Sequence, residues 1–161
     1  MSKHHRNRNW APAPQPLPED AHVIDNHTHV ASVVPFSQAM SHEAMEKGQG
    51  EVPVYSVDEL LKQAQDVGVE GVIDCGCELP NLMTAIDMAR EHPGTVHAAI
   101  AIHPNEAVLH GHRGAPGPDG LPIKYKPWHD IPFDEAMAEV HRLATTYPNQ
   151  VVAIGETGMD L

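Results

Sequence analysis

Positive charge is what this 161-residue chain has least of: ten lysines and arginines stand against 22 aspartates and glutamates, for a net charge of −12. That balance opposes loose, sequence-independent adhesion to duplex DNA or to anionic lipid. A phosphate-bearing substrate therefore needs local help, such as bound cations. Long hydrophobic runs are missing as well. No apolar stretch approaches the roughly 20 residues of a membrane span, and no hydrophobic segment follows the basic residues at the N-terminus as it does in a secretory signal. The expectations are no membrane contact and a cytoplasmic location. Cysteine is limited to Cys75 and Cys77, two apart at an expected strand end. A disulfide across so short a loop is strained, so both read as reduced thiols, as small buried fillers rather than thiolate ligands. What is present, 41% hydrophobic and 20% charged residues, is the composition of a soluble globular protein long enough to bury one core.

The stretch that organises the chain is Val23-Ile24-Asp25-Asn26-His27-Thr28-His29. It reads as an apolar strand ending in two histidines, and side chains two apart on a strand share a face. His27 and His29 are thus expected to point together, and a rigid pair of imidazoles is a ready grip for a divalent ion. The spacing alone is weak, because His110 and His112 repeat it in a segment that looks like a loop. Asp25 is expected to point away from the pair and to be structural or to orient the ligands.

Taken in order, residues 1–20 hold a small basic cluster and then Pro12, Pro14, Pro16 and Pro18, which predicts a disordered, proline-rich arm. Residues 30–55 lack clear periodicity and read as a long loop with a short helix around 41–47. Ser56, three before Glu59, opens an amphipathic helix through a capping box, and Gly68 ends it. A strand over Val69–Cys75, a helix over Pro80–Glu91 and a strand over Val96–His103 follow. Residues 104–132, rich in proline and glycine, form an insertion too long for a simple connection. A helix over Asp134–Tyr147 and a strand over Val151–Glu156 complete the pattern. Strands alternating with helices, each strand apolar almost throughout, predict an α/β fold of parallel βα units with both faces of the sheet covered. Chemistry in such folds sits at the carboxyl ends of strands. His27, His29, Cys75, His103 and Glu156 all fall there. His110, His112 and His129, inside the insertion, read as part of a mobile polar lid.

Four of these stretches together resemble the TatD family of metal-dependent deoxyribonucleases, among the amidohydrolase-like hydrolases. They are Ile24-Asp25-Asn26-His27-Thr28-His29, Ile73-Asp74-Cys75-Gly76, Ala101-Ile102-His103-Pro104 and Gly155-Glu156-Thr157-Gly158-Met159-Asp160-Leu161, and the resemblance runs from about residue 21 to the end. It implies a TIM-type (β/α)₈ barrel with about its first half present, and two divalent metal cations (Mg, Zn or Mn). The histidine pair binds one ion in that family and the glutamate bridges both, so His27, His29 and Glu156 are the implied metal ligands and Glu156 the implied catalytic residue. The implied reaction is hydrolysis of DNA phosphodiester bonds by a metal-activated water. His103 is assigned to a substrate phosphate, with capping of its strand as the alternative. Asp160 has two readings, a ligand contact or a capping role.

Two departures concern the substrate: Val30-Ala31 stands where the family often has an acidic residue, and Leu161 where it usually has tyrosine. The residue types suit the chemistry. A carboxylate has two oxygens and can bridge cations, neutral imidazoles hold an ion without cancelling its charge, and ions about 3.5–4 Å apart stabilise both attacking and leaving oxygens. A closed barrel needs about 250 residues, and the family's remaining ligands have no counterpart before Leu161. The alternative reading is therefore a truncated, catalytically incomplete remnant that needs a missing C-terminal half and self-associates through exposed sheet edges. Another amidohydrolase-like ester or amide hydrolysis is the third.

Overall fold

The computed structural model describes residues 16–49, 52–114 and 124–158. The first 15 residues of the expected arm, the middle of the insertion, and Asp160 and Leu161 lie outside the described residues. Pro16–Asp20 lie inside them and run along the fold. The Leu17 N–H donates to the Val67 carbonyl at 2.9 Å, and its side chain covers Gly68. Leu17 thus packs on the fold although it lies within the expected arm.

Four parallel strands, β1 (Val23–Thr28), β2 (Val69–Gly76), β3 (Val96–Ile100) and β4 (Val151–Ile154), lie side by side in sequence order. Helices α1 (Val30–Glu46), α2 (Val57–Asp66), α3 (Leu79–Glu91), the short α4 (Pro104–Ala107) and α5 (Phe133–Thr146) occupy the connections. Parallel pairing obliges each chain segment to cross back before the next strand, which places every strand's carboxyl end at one rim. The ladder continues past β3: the His103 N–H donates to the Cys77 carbonyl at 2.9 Å, and the Gly155 N–H to the Ile100 carbonyl at 3.3 Å. His103 therefore stands level with Cys77, and Gly155 continues the β4 pairing beside Ile100.

The core lies between the sheet and its helices. Val72, Val96, Ala98 and Ile100 from the strands meet Leu82, Ala85, Ile86 and Ala89 of α3 and Ala136, Val140 and Leu143 of α5. On α3 and α5 these positions recur at helical spacing, which is why their periodicity shows in the sequence. The capping box of α2 forms as the sequence predicts, the Ser56 hydroxyl accepting from the Glu59 N–H at 3.2 Å while the Glu59 carboxylate accepts from the Ser56 N–H at 2.8 Å. Gly76 is fixed by close approach: a Cβ there would lie 2.8 Å from the Asn81 carbonyl oxygen, so only glycine lets α3 start so near the end of β2.

Two expectations change. Residues 30–46 are one 17-residue helix rather than a loop with a short helix at 41–47. Its buried stripe, Val30, Ser37, Ser41 and Ala44, has helical spacing but consists mostly of small and polar residues, which a search for apolar periodicity passes over. Pro35 reads as a breaker yet sits in the second turn, where the Ser37 hydroxyl donates to the Val34 carbonyl at 2.8 Å. Two of the three histidines assigned to a polar lid are also buried, while His112 is exposed. His110 and His129 are 1% and 0% exposed, with ring centroids 5.6 Å apart. His129 Nδ1 accepts from the Lys126 N–H at 3.1 Å, so its Nε2 carries the proton and donates to Glu106 at 2.6 Å; His110 Nδ1 donates to the Ile131 carbonyl at 2.8 Å. Both ring nitrogens of His129 are satisfied, which is compatible with its burial, whereas His110 Nε2 is buried with no hydrogen-bond partner among the described residues.

The sheet is open. Its edge strands leave Ile24 (57%), Val152 (50%) and Ile154 (53%) exposed, so the expectation that both faces of the sheet are covered holds for β2 and β3 and fails at the edges. No helix among the described residues is long and apolar enough to cross a membrane.

Candidate metal centre

The end of β1 carries the histidine pair. Its register against β2 is irregular between Asp25 and Thr28, and the Thr28 hydroxyl donates to the Ile73 carbonyl at 3.0 Å, fixing the strand end just where the ladder loosens. Positions 25 and 27 share strand parity, so Asp25 does not point away as the sequence reading has it. Its carboxylate folds back and accepts the His27 N–H at 3.2 Å, supporting the backbone that carries the first imidazole.

Glu156 arrives from the far edge, two residues beyond β4. Its Oε1 lies 3.0 Å from His27 Nε2 and its Oε2 3.7 Å from His29 Nε2. One donor atom from each of the three residues lies within 4.8 Å of the others, and among the described residues this is the group of three or more such side chains that could hold a metal ion. The two imidazoles meet edge to face, centroids 5.3 Å apart. His29 Nδ1 lies 3.3 Å from the Cys75 carbonyl oxygen. A carbonyl can only accept, so Nδ1 holds the proton and the Nε2 lone pair is turned toward Glu156. Anchoring of this kind, through the far ring nitrogen to a main-chain carbonyl, is what metal-binding histidines show.

The donor set fits a divalent ion. Two neutral imidazoles and a carboxylate are borderline ligands suited to Zn²⁺ or Mn²⁺, and bond lengths near 2.0–2.2 Å place tetrahedral ligand atoms roughly 3.4 Å apart, so atoms now within 4.8 Å of one another would draw together around an ion. Three protein donors leave coordination positions for water and substrate.

The electrostatics favour an ionised carboxylate. Burial works to raise the Glu156 carboxyl, but the hydrogen bond from Cys77 and the pull of His27, His103 and His29, exerted when those imidazoles are protonated, outweigh it, and the group sits below the ordinary carboxylate value. His103 is thus close enough to act on Glu156, and its Nδ1 also accepts the Asn105 N–H at 3.1 Å, capping α4.

Cys77 is the participant that sequence reasoning missed. Its thiol donates to Glu156 Oε2 at 2.9 Å, and burial, the Glu156 hydrogen bond and the Glu156 charge push it up to about 12. It therefore remains a protonated donor, not a thiolate. The available signal was position: it follows Gly76 at a strand end, level with His103. Cys75 and Cys77 are both free thiols, as expected. Asp74, 1% exposed, was quoted in the sequence only as part of a motif. Its Oδ1 accepts the Ala31 N–H at 3.3 Å, tying the start of α1 to β2, and burial raises its carboxyl above the usual value.

Comparison with known proteins points the same way. The 3'-5' ssDNA/RNA exonuclease TatD of Erwinia tasmaniensis is 28% identical over 103 residues, which cover 64% of this chain and 30% of that protein. The chain thus aligns with less than a third of that relative's length. A family model described as TatD related DNase matches residues 24–161, a span holding both the histidine strand and the glutamate strand. On that match the chain belongs to the family of TatD-related DNases.

Proposed function

We propose that this chain carries the first half of a divalent-metal-dependent nuclease that hydrolyses phosphodiester bonds of DNA. The observation that carries the reading is the convergence of His27, His29 and Glu156, 127 to 129 positions apart along the chain, to within 4.8 Å at the rim of one parallel sheet. A nuclease family membership and a TatD exonuclease among its relatives support the substrate class. We read the three βα units and β4 as the opening part of a TIM-type barrel.

A divalent ion at this site supplies positive charge to phosphate oxygens and makes a water acidic enough to attack at neutral pH. The chain's own groups do the rest. His27 and His29 turn Nε2 toward Glu156, which holds one oxygen toward each imidazole; these three side chains would hold the ion. The Cys77 thiol keeps Glu156 in that orientation. We assign His103, level with Cys77 and with Nδ1 capping α4, to a substrate phosphate. With a net charge of −12, bound cations are what make a polyanion welcome here.

A second reading rests on the open sheet. Ile24, Val152 and Ile154 are exposed at its edges, and only three donors converge among the described residues. We infer that further strands are needed to cover this surface and complete a two-ion site, so that the 161 residues alone bind an ion without full catalysis, and their exposed edges invite self-association. Manganese titration followed by electron paramagnetic resonance, paired with cleavage of a single-stranded oligonucleotide with and without chelator, separates the readings. Ion binding with chelator-sensitive cleavage supports the first, ion binding without cleavage supports the second, and no ion binding refutes both.

A further inference from the structure

Beside the metal centre lies a pocket of about 390 Å³, between the first turns of α1 and α3 and the end of β2. Its volume is in the range of small-molecule sites. His29 and Cys77 belong to its wall, and both also reach Glu156. The pocket therefore adjoins the candidate metal centre and shares two side chains with it.

The lining says what kind of group that is. Asp74 and Glu78 contribute two carboxylates, and Ser32, Asn81 and Thr84 add neutral polar groups. Neither lysine nor arginine lines it, so a second phosphate is repelled. Asp74 is almost wholly buried and accepts backbone hydrogen bonds from Ala31, at 3.3 Å, and from Val30, which leaves acceptor capacity on a group with about four lone-pair sites. Glu78 is held in place from the insertion by Lys126, at 2.6 Å. Ala31 and Pro35 give the wall an apolar part. An uncharged, flat group rich in N–H donors matches these walls.

We propose that this pocket is a nucleobase subsite that prefers bases bearing an exocyclic amine. Guanine, adenine and cytosine offer such donors, whereas thymine offers one N–H between two carbonyl oxygens, which carboxylates disfavour. The naming of the ligand as a nucleobase rests on the nuclease reading; the donor preference rests on the pocket itself.

The test uses the full chain with EDTA present and nucleosides that lack phosphate, so that the ion site takes no part. Calorimetry or ligand-observed NMR compares deoxyguanosine, deoxyadenosine, deoxycytidine, thymidine and deoxyribose. One or two added hydrogen bonds predict that the three amine-bearing nucleosides bind about tenfold more tightly than deoxyribose and several-fold more tightly than thymidine. Thr84→Phe, at an exposed helix position, fills the pocket and is expected to weaken nucleoside binding at least about tenfold; circular dichroism confirms its fold. Asp74→Asn is expected to erase the preference over thymidine. Equal affinity for nucleosides and deoxyribose, or an unchanged Thr84→Phe variant, overturns the subsite. Manganese binding measured in parallel keeps the two proposals apart: ion binding without base discrimination sinks the pocket alone, and base discrimination without ion binding sinks the nuclease reading alone.

Discussion

The contact between Cys77 and Glu156 makes a quantitative demand on thiol chemistry. With its thiol pushed up to about 12, Cys77 is about one part in ten thousand thiolate at pH 8, against about a quarter for an unperturbed cysteine. The remaining thiolate is the more nucleophilic one, and a Brønsted slope of about 0.45 returns a factor of roughly 40. Alkylation of Cys77 by iodoacetamide at pH 8, in EDTA, is therefore expected to run roughly 60-fold slower than that of an ordinary thiol such as glutathione. Burial is the largest cause and persists in Glu156→Gln, whereas the hydrogen bond to a carboxylate and its charge do not. That variant should therefore recover part of the lost rate, not all of it. Peptide mass spectrometry reads Cys75 and Cys77 separately. Cys77 reacting as fast as glutathione, or at one rate in the native chain and in Glu156→Gln, would refute the placement of Glu156 against β2, and with it the closure of the candidate site.

Other outcomes follow from the fold. Leu82 is 0% exposed in the core, and Leu82→Ala is expected to cost about 2–5 kcal/mol in urea denaturation. Ser56→Ala removes the acceptor of the α2 capping box and should cost about 1 kcal/mol. Because burial raises Asp74, its favourable contribution is complete below the ordinary carboxylate value of 3.8 and is lost as pH rises through the raised folded value. Asp74→Asn keeps an acceptor for the Ala31 N–H, so its stability relative to the native chain should climb between pH 4 and pH 7, and denaturation midpoints that track each other across that interval would contradict the assignment.

What could be read from the sequence was what repetition and chemistry make visible. The parallel βα order shows because Val72, Val96, Ile100, Leu82, Ile86, Val140 and Leu143 recur at strand and helix spacing around one core. The histidine pair and Glu156 show because each stands at the carboxyl end of an apolar run. Helix α1 does not show, since its inward stripe is serine and alanine and Pro35 interrupts it. The burial of His110 and His129 is equally silent: it depends on Glu106, Lys126 and Ile131, contacts that span 3 to 23 positions and have no periodic signature. Cys77 reads as a small filler until β4 returns and sets Glu156 against it. Long-range closure of the sheet created that contact, and local pattern could not announce it.

The central claim is that His27, His29 and Glu156 hold a divalent cation together. Calorimetric titration of the chelator-stripped chain with Zn²⁺ or Mn²⁺, set beside His29→Ala and Glu156→Gln, tests it most directly. Each variant is expected to lose at least roughly 100-fold in affinity, since even the supporting partners of metal ligands are worth 10- to 100-fold. Unchanged affinity in both variants would contradict the claim.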